Sequence, residues 1–210
     1  IHDNNELGVV FLARSYMSQD SGANLGIAEK LAQLGVVPVP LSFLPLKSVN
    51  VYEYSDRPYW YYEGKHIAGS VLTEQDPSLY GLILTNFGCG PNSFIINIVE
   101  DIMGGQPLGQ LEIDEHAAEA GIVTRLEAFV DTIKAFARSG AQAKGWDENA
   151  YRSAPVSLST GKTILLPRMA PGAEAMAAAM EAFGVKAAVL PPSTEESLLY
   201  SNKVTRGTEG

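Results

Sequence analysis

The stretch Leu82-Ile83-Leu84-Thr85-Asn86-Phe87-Gly88-Cys89-Gly90-Pro91-Asn92-Ser93 decides how the rest of the chain is read. An apolar β-type run breaks into a Gly-Cys-Gly-Pro turn. Phe94, Ile95, Ile98, Val99 and Ile102 then recur at helical spacing, so the pattern predicts strand, tight turn, helix. Gly88 and Gly90 free the backbone on both sides of Cys89, and Pro91 suits a first helical position, where its missing N–H costs nothing. Cys89, the one cysteine among 210 residues, is thus expected just before a helix N-terminus, whose partial positive charge favours thiolate over thiol. A thiolate is a nucleophile or a metal ligand. The glycine positions of a nucleophile elbow are held by Phe87 and Pro91, and no arginine follows Cys89 as a phosphate-cradling cysteine loop requires. A plain buried cysteine at a packed turn stands level with the functional readings on local evidence, because free cysteine is often buried.

Hydrophobic residues make up 46% of the chain and charged residues 19%, the proportions of a globular protein. The balance of 15 basic against 24 acidic residues gives a net charge of -9 and leaves no basic run, which argues against nucleic acid as a partner. No apolar run is long enough to span a bilayer, and a single cysteine makes no internal disulfide, so a cytoplasmic protein without membrane contact is expected. The polar opening from Ile1, with no methionine, suggests a piece of a longer polypeptide.

Gly8 to Leu12 reads as a buried strand, Ala13 to Gly22 as a loop, Asn24 to Leu34 as a helix, and Val36 to Pro40 as an edge strand because of its prolines. Gly22 and Gly26 do not complete a dinucleotide-binding glycine pattern. Tyr52, Tyr54, Tyr59, Trp60, Tyr61 and Tyr62 form an aromatic cluster that reads as a packing plug or subunit contact. Ile67, Ala68, Val71 and Leu72 then mark a helix on which His66 is expected to face solvent. Gly109 to Ile113 alternates as a strand, and Ile122, Leu126, Phe129, Ile133 and Phe136 mark a long amphipathic helix. Residues 141–160 read as a linker between an α/β domain over 1–140 and a partial second α/β unit over 161–210. Thr160-Gly161-Lys162-Thr163 resembles the end of a nucleotide-binding loop, but it precedes a strand instead of following one.

Ligands of open α/β sheets sit beyond the carboxyl ends of the strands. That edge is expected to gather Arg14, Asn86, Gly88, Cys89, Gly90 and Ser93, with Asp114, Glu115 and His116 after the next strand. Two carboxylates beside His116 would stabilise its protonated form, as an acid/base histidine requires, although a histidine at a helix start also serves as a plain cap. His116 and Glu119 have an i,i+3 spacing, yet two ligands fall short of a metal site.

Thr85 to Phe94, and Leu111 to His116 running into Ala120 to Phe129, closely resemble the 2-hydroxyacyl-CoA dehydratase superfamily. Within it they resemble the dehydratase-like domain of the large CoA-substrate-specific activase proteins. Asn24 to Ile27, Leu165 to Met169 and Thr205 to Glu209 extend the resemblance over nearly the whole chain. It implies doubly wound α/β domains, an iron-sulfur cluster of the [4Fe-4S] type with Cys89 as one ligand, and an ATP-dependent activator that supplies low-potential electrons. Gly207-Thr208-Glu209-Gly210 replaces a usual Gly-Lys-Glu-Cys, so a second expected cysteine is absent, and Ala13-Arg14-Ser15-Tyr16 replaces a usual Gly-Arg-Pro-Tyr. A cluster would be shared, with its other ligands outside this chain, in a second dehydratase-like subunit or another segment.

The resulting fold expectation is an α/β protein with a doubly wound, mainly parallel flavodoxin/Rossmann-like sheet and the start of a second α/β unit. The functional expectation is an iron-sulfur-associated electron-transfer component of anaerobic metabolism. The alternative is a scaffold or small-ligand module of the same fold without its own cluster. If Asp114, Glu115 and His116 serve a functional pocket, His116→Ala alters ligand binding and leaves the urea midpoint unchanged. A mere cap would instead lose about 1 kcal/mol of stability with binding intact.

Overall fold

β1 (Gly8–Ala13) is apolar at every position because it is covered on both faces. Val9, Phe11 and Ala13 point into one core and Val10 and Leu12 into the other, the two-residue alternation of a strand. Such a strand sits at the centre of a parallel sheet. β2 (Val37–Pro40), β3 (Leu79–Thr85) and β4 (Leu108–Glu112) complete it in the order β2-β1-β3-β4, with every pair parallel. Gly8 stands opposite Val37 on one side and Leu79 on the other. The structure, a computed structural model, describes residues 1–55, 58–86, 90–114, 119–141 and 161–205.

Helices close both faces. α2 (Ile27–Gln33) and α5 (Glu119–Ser139) bring Ile27, Leu31, Ile122, Leu126, Val130 and Ile133 onto Phe11, Leu82 and Leu84. On the opposite face, α3 (Tyr61–Glu74) and α4 (Gly90–Met103) lay Ile67, Val71, Ile95, Val99 and Ile102 over Val10, Leu12 and Ile83. This is the doubly wound, flavodoxin/Rossmann-like α/β arrangement expected from the sequence. A Cβ at Gly109 would lie 2.7 Å from Leu82 Cδ1 and 3.2 Å from the Phe129 ring, so glycine there lets α5 approach β4.

Three local expectations are corrected. The loop expected over Ala13 to Gly22 contains a short helix, α1 (Ser15–Gln19), which turns Met17 into the core. One inward apolar residue among polar neighbours leaves no periodic signal. α2 starts at Ile27, not Asn24, because Leu25 and Gly26 adopt left-handed backbone and the Asn24 side chain accepts the N–H groups of Gly26 and Ile27. The aromatic stretch is no buried plug, since Tyr52, Tyr59, Trp60 and Tyr61 are exposed. β2 is an edge strand, as its prolines require.

Contacts divide the chain into two units at residues 152/153. In the second, β5 (Ile164–Leu166) and β6 (Ala187–Val189) pair in parallel, with α6 (Ala170–Ala182) between them and α7 (Glu195–Val204) after. Gly161-Lys162-Thr163 leads into β5, as the sequence suggests. Most of the expected linker, residues 142–160, lies outside the described residues. No helix among the described residues is long and apolar enough to cross a membrane.

Phe11 is fully buried and Phe43 is 79% exposed. Phe11→Ala is expected to cost about 3–5 kcal/mol and Phe43→Ala less than about 0.5 kcal/mol, measured as the shift in urea unfolding free energy.

Candidate functional site

The chain passes from β1 to β2 on one side of the sheet and then crosses to β3 on the other. The topological switch therefore falls between β1 and β3, and the loops leaving their carboxyl ends part around a crevice. Arg14 and Tyr16 enter it after β1, and Asn86 enters it after β3.

Asn86 ties three strand ends together. Its Oδ1 accepts the Tyr16 hydroxyl at 2.9 Å, and its Nδ2 donates to the Ile113 carbonyl at 3.1 Å, just beyond β4. The backbone joins the same edge through Ile113 N–H donating to Thr85 O at 2.8 Å. Asn92, in the first turn of α4, donates from Nδ2 to Thr85 Oγ1 at 2.6 Å and holds the helix start against β3. Ser93 beside it is buried. Two cavities open here. The deeper one, lined by Arg14, His66, Thr85, Asn86 and Asn92 among others, encloses about 20 Å³, room for a single water. The outer one, about 230 Å³, lies between Arg14, Glu63, His66 and Asn92 and the rings of Trp60 and Tyr62. Trp60 stacks on Phe94 with ring centroids 6.5 Å apart.

His66 is the residue that the sequence placed wrongly. It is 6% exposed, not solvent-facing, and it lines both cavities. Its Nδ1 lies 2.6 Å from the Tyr62 carbonyl, so that nitrogen carries the hydrogen and donates. Burial pushes the ring's pKa below its ordinary 6.5; the carbonyls of Tyr62 and Leu12 oppose that shift and the Arg14 charge adds to it. Glu63 is also buried, and one of its oxygens accepts the Trp60 N–H at 3.3 Å, closing the first turn of α3. The signal for His66 was present in the sequence. Ile67 and Val71 define the inward side of α3, and positions 63, 66 and 70 adjoin it at helical spacing.

Of the predicted site residues, Arg14, Asn86, Gly90, Ser93 and Asp114 are described, and the first four surround the β3–α4 junction or the crevice beside it. Asp114 is exposed and follows Ile113, the residue bonded to Asn86. A Cβ at Gly90 would meet no atom within 4 Å, so space alone does not demand glycine there. Gly88, Cys89, Glu115 and His116 lie outside the described residues. Glu119, paired with His116 by spacing, instead meets Lys30 at 2.9 Å, and that ammonium lowers the carboxyl's pKa.

The groups described at the crevice are amide, hydroxyl, imidazole, guanidinium and the Glu63 carboxylate, with no thiolate. With one cysteine in the chain, these residues do not by themselves make an iron-sulfur site, which takes four thiolates in its usual form. No group of three or more His, Cys, Asp or Glu side chains suited to a metal ion occurs among the described residues. Comparison of the chain with family models, curated proteins and solved structures finds no match.

The His66 environment fixes a pH dependence. The unfolded ring takes up a proton near pH 6.5 while the folded ring resists it, so the unfolded state binds more protons and stability falls as pH drops below that value. Urea midpoints measured from about pH 8 to about pH 5 are expected to decline in the wild type, and His66→Gln is expected to flatten the decline.

Proposed function

We propose that this chain is an iron-sulfur-associated redox component of the 2-hydroxyacyl-CoA dehydratase and activase type. In this reading it takes part in ATP-driven, low-potential electron transfer to an activated substrate, with an ATP-dependent activator domain or protein as its partner. The observation that supports it is the place of the Thr85 to Phe94 block. The loop between β3 and α4 leaves the sheet at the topological switch point, where doubly wound folds hold their ligands. Cys89 belongs to that loop, and as the chain's one thiol it contributes a single ligand to a cluster completed from outside.

The chain's own residues supply the setting. Arg14 brings a fixed positive charge to the crevice, which favours an anionic group there. Asn86 and Asn92 hold the strand end and the helix start in place. The cluster, when shared in this way, supplies the one-electron chemistry.

A second reading follows from the donor set. Amide, hydroxyl, imidazole, carboxylate and guanidinium groups around a cavity of about 230 Å³ suit a small polar ligand held by hydrogen bonds, in a module without its own cluster.

Anaerobic reconstitution with iron and sulfide separates the two. Under the redox reading, iron and sulfide content per chain rises with protein concentration, because the ligands come from more than one chain, and Cys89→Ser abolishes it. Iron content that is zero at every concentration and with the activator present, or that is unchanged in Cys89→Ser, overturns the redox reading and leaves the small-ligand module.

A further inference from the structure

Away from the strand ends, three short 3₁₀ turns, Leu41–Phe43, Leu46–Ser48 and Val51–Glu53, stand against α3 and leave a groove of about 640 Å³. That volume falls in the range of about 300–1,000 Å³ typical of small-molecule sites. The walls are largely apolar, formed by Leu44, Leu46, Val51, Ala68 and the ring of Tyr61. Gly64 opens the floor. A Cβ built there meets only Val51 Cγ2, at 4.0 Å, so the space beside the helix is free instead of filled by packing.

The charge at this groove runs against the rest of the molecule. The chain carries 24 acidic and 15 basic residues, yet the described residues lining the groove include Lys47 and Lys65 and no carboxylate. Lys65 Nζ lies 4.4 Å from the Tyr61 ring centroid and 5.6 Å from that of Tyr62, so aromatic faces hold its ammonium in place. Among the described residues neither lysine forms an ion pair. An apolar trough with two unneutralised ammonium groups is complementary to one kind of small molecule, an apolar body ending in an anion.

We propose that this groove binds a small molecule with an apolar body and one anionic head, such as an alkyl carboxylate, the body lying along Leu44, Leu46 and Val51 and the head meeting Lys65 and Lys47. The proposal is independent of the redox reading, since the strand-end crevice shares with it only Tyr61 and, through its ring contact with Lys65, Tyr62. A carboxylate head gains charge-assisted hydrogen bonds from the ammonium groups, and the chain gains the apolar burial that open water now denies to the groove.

The test titrates the full chain with decanoate, with decanol as its uncharged counterpart, by displacement of the fluorescent anion anilinonaphthalene sulfonate. Saturable displacement is expected, with decanoate binding about ten-fold more tightly than decanol. Changing Lys47→Gln and Lys65→Gln together is expected to weaken decanoate by about ten-fold and to leave decanol within about two-fold. Gly64→Leu should remove both. The proposal is overturned if the wild type shows no saturable displacement, if decanol equals decanoate, or if the double lysine variant leaves decanoate unchanged or weakens both ligands alike. If Gly64→Leu lowers the thermal midpoint, the lysine variant decides alone, because Lys47 is exposed and Lys65 only half-buried.

Discussion

Everything in the first unit depends on β1 being buried on both faces. Val9, Val10, Phe11 and Leu12 are each 0% exposed, and their side chains alternate between two cores. A one-residue slip of register would exchange the two sets and set Phe11 against the Ile67 and Val99 side of the sheet. Each such side chain contributes about 1.5–3 kcal/mol of burial, so the register is held by several large terms at once. The helices follow from that constraint. α2 and α5 are drawn to one face and α3 and α4 to the other because each face needs an apolar cover.

The same central strand sets the chemistry at the edge. Where β1 and β3 end, the sheet can no longer satisfy its polar groups by ladder bonds alone, and side chains take over. Asn86 serves two sides with one amide, accepting from Tyr16 and donating to Ile113 O. Asn92 joins Thr85 to the first turn of α4. These bonds leave Arg14 as a fixed charge beside a buried His66 whose pKa is lowered, with the Glu63 carboxylate lining the same outer cavity. Across the sheet, the contact between the half-buried Lys30 and the exposed Glu119 adds little stability and joins the start of α5 to α2.

Long apolar runs made the sheet legible in the sequence. β1 and β3 stand out because strands covered on both faces are apolar at nearly every position, and α5 because its inward residues repeat over several turns. α1 left no trace, since Met17 is its one buried apolar residue and the other buried position is a serine. His66 was misplaced because polarity was weighed above spacing; the backbone carbonyl of Tyr62 that makes its burial tolerable cannot be seen in a residue list. The buried-plug reading of the aromatic cluster failed for the opposite reason. Tyr59, Trp60 and Tyr61 are apolar enough to suggest burial, but they crowd the N-terminus of α3, where its inward side is already taken by Glu63 and His66. The site was legible as a place, the carboxyl edge at the β1–β3 switch, more than as a set of side chains.

α3 has a further consequence for how the two cavities relate. At about 100° per residue, Tyr61, Gly64, Lys65 and Ala68 fall on one side of the helix and Glu63, His66 and Ser70 on the opposite side. The first set walls the groove, and the second faces the strand-end crevice or the core. A ligand pressing on one side therefore meets the other through a helix whose middle is buried from Ile67 to Val71 and whose Ser70 and Thr73 hydroxyls are spent on its own carbonyls. Such a segment is closely packed along its middle and resists bending. Tyr61 is the exception, since it stands at the first turn and borders both cavities, with Lys65 over its ring. Tyr62 is the second link between the two cavities, since it lines the outer one while its ring lies 5.6 Å from the Lys65 ammonium of the groove.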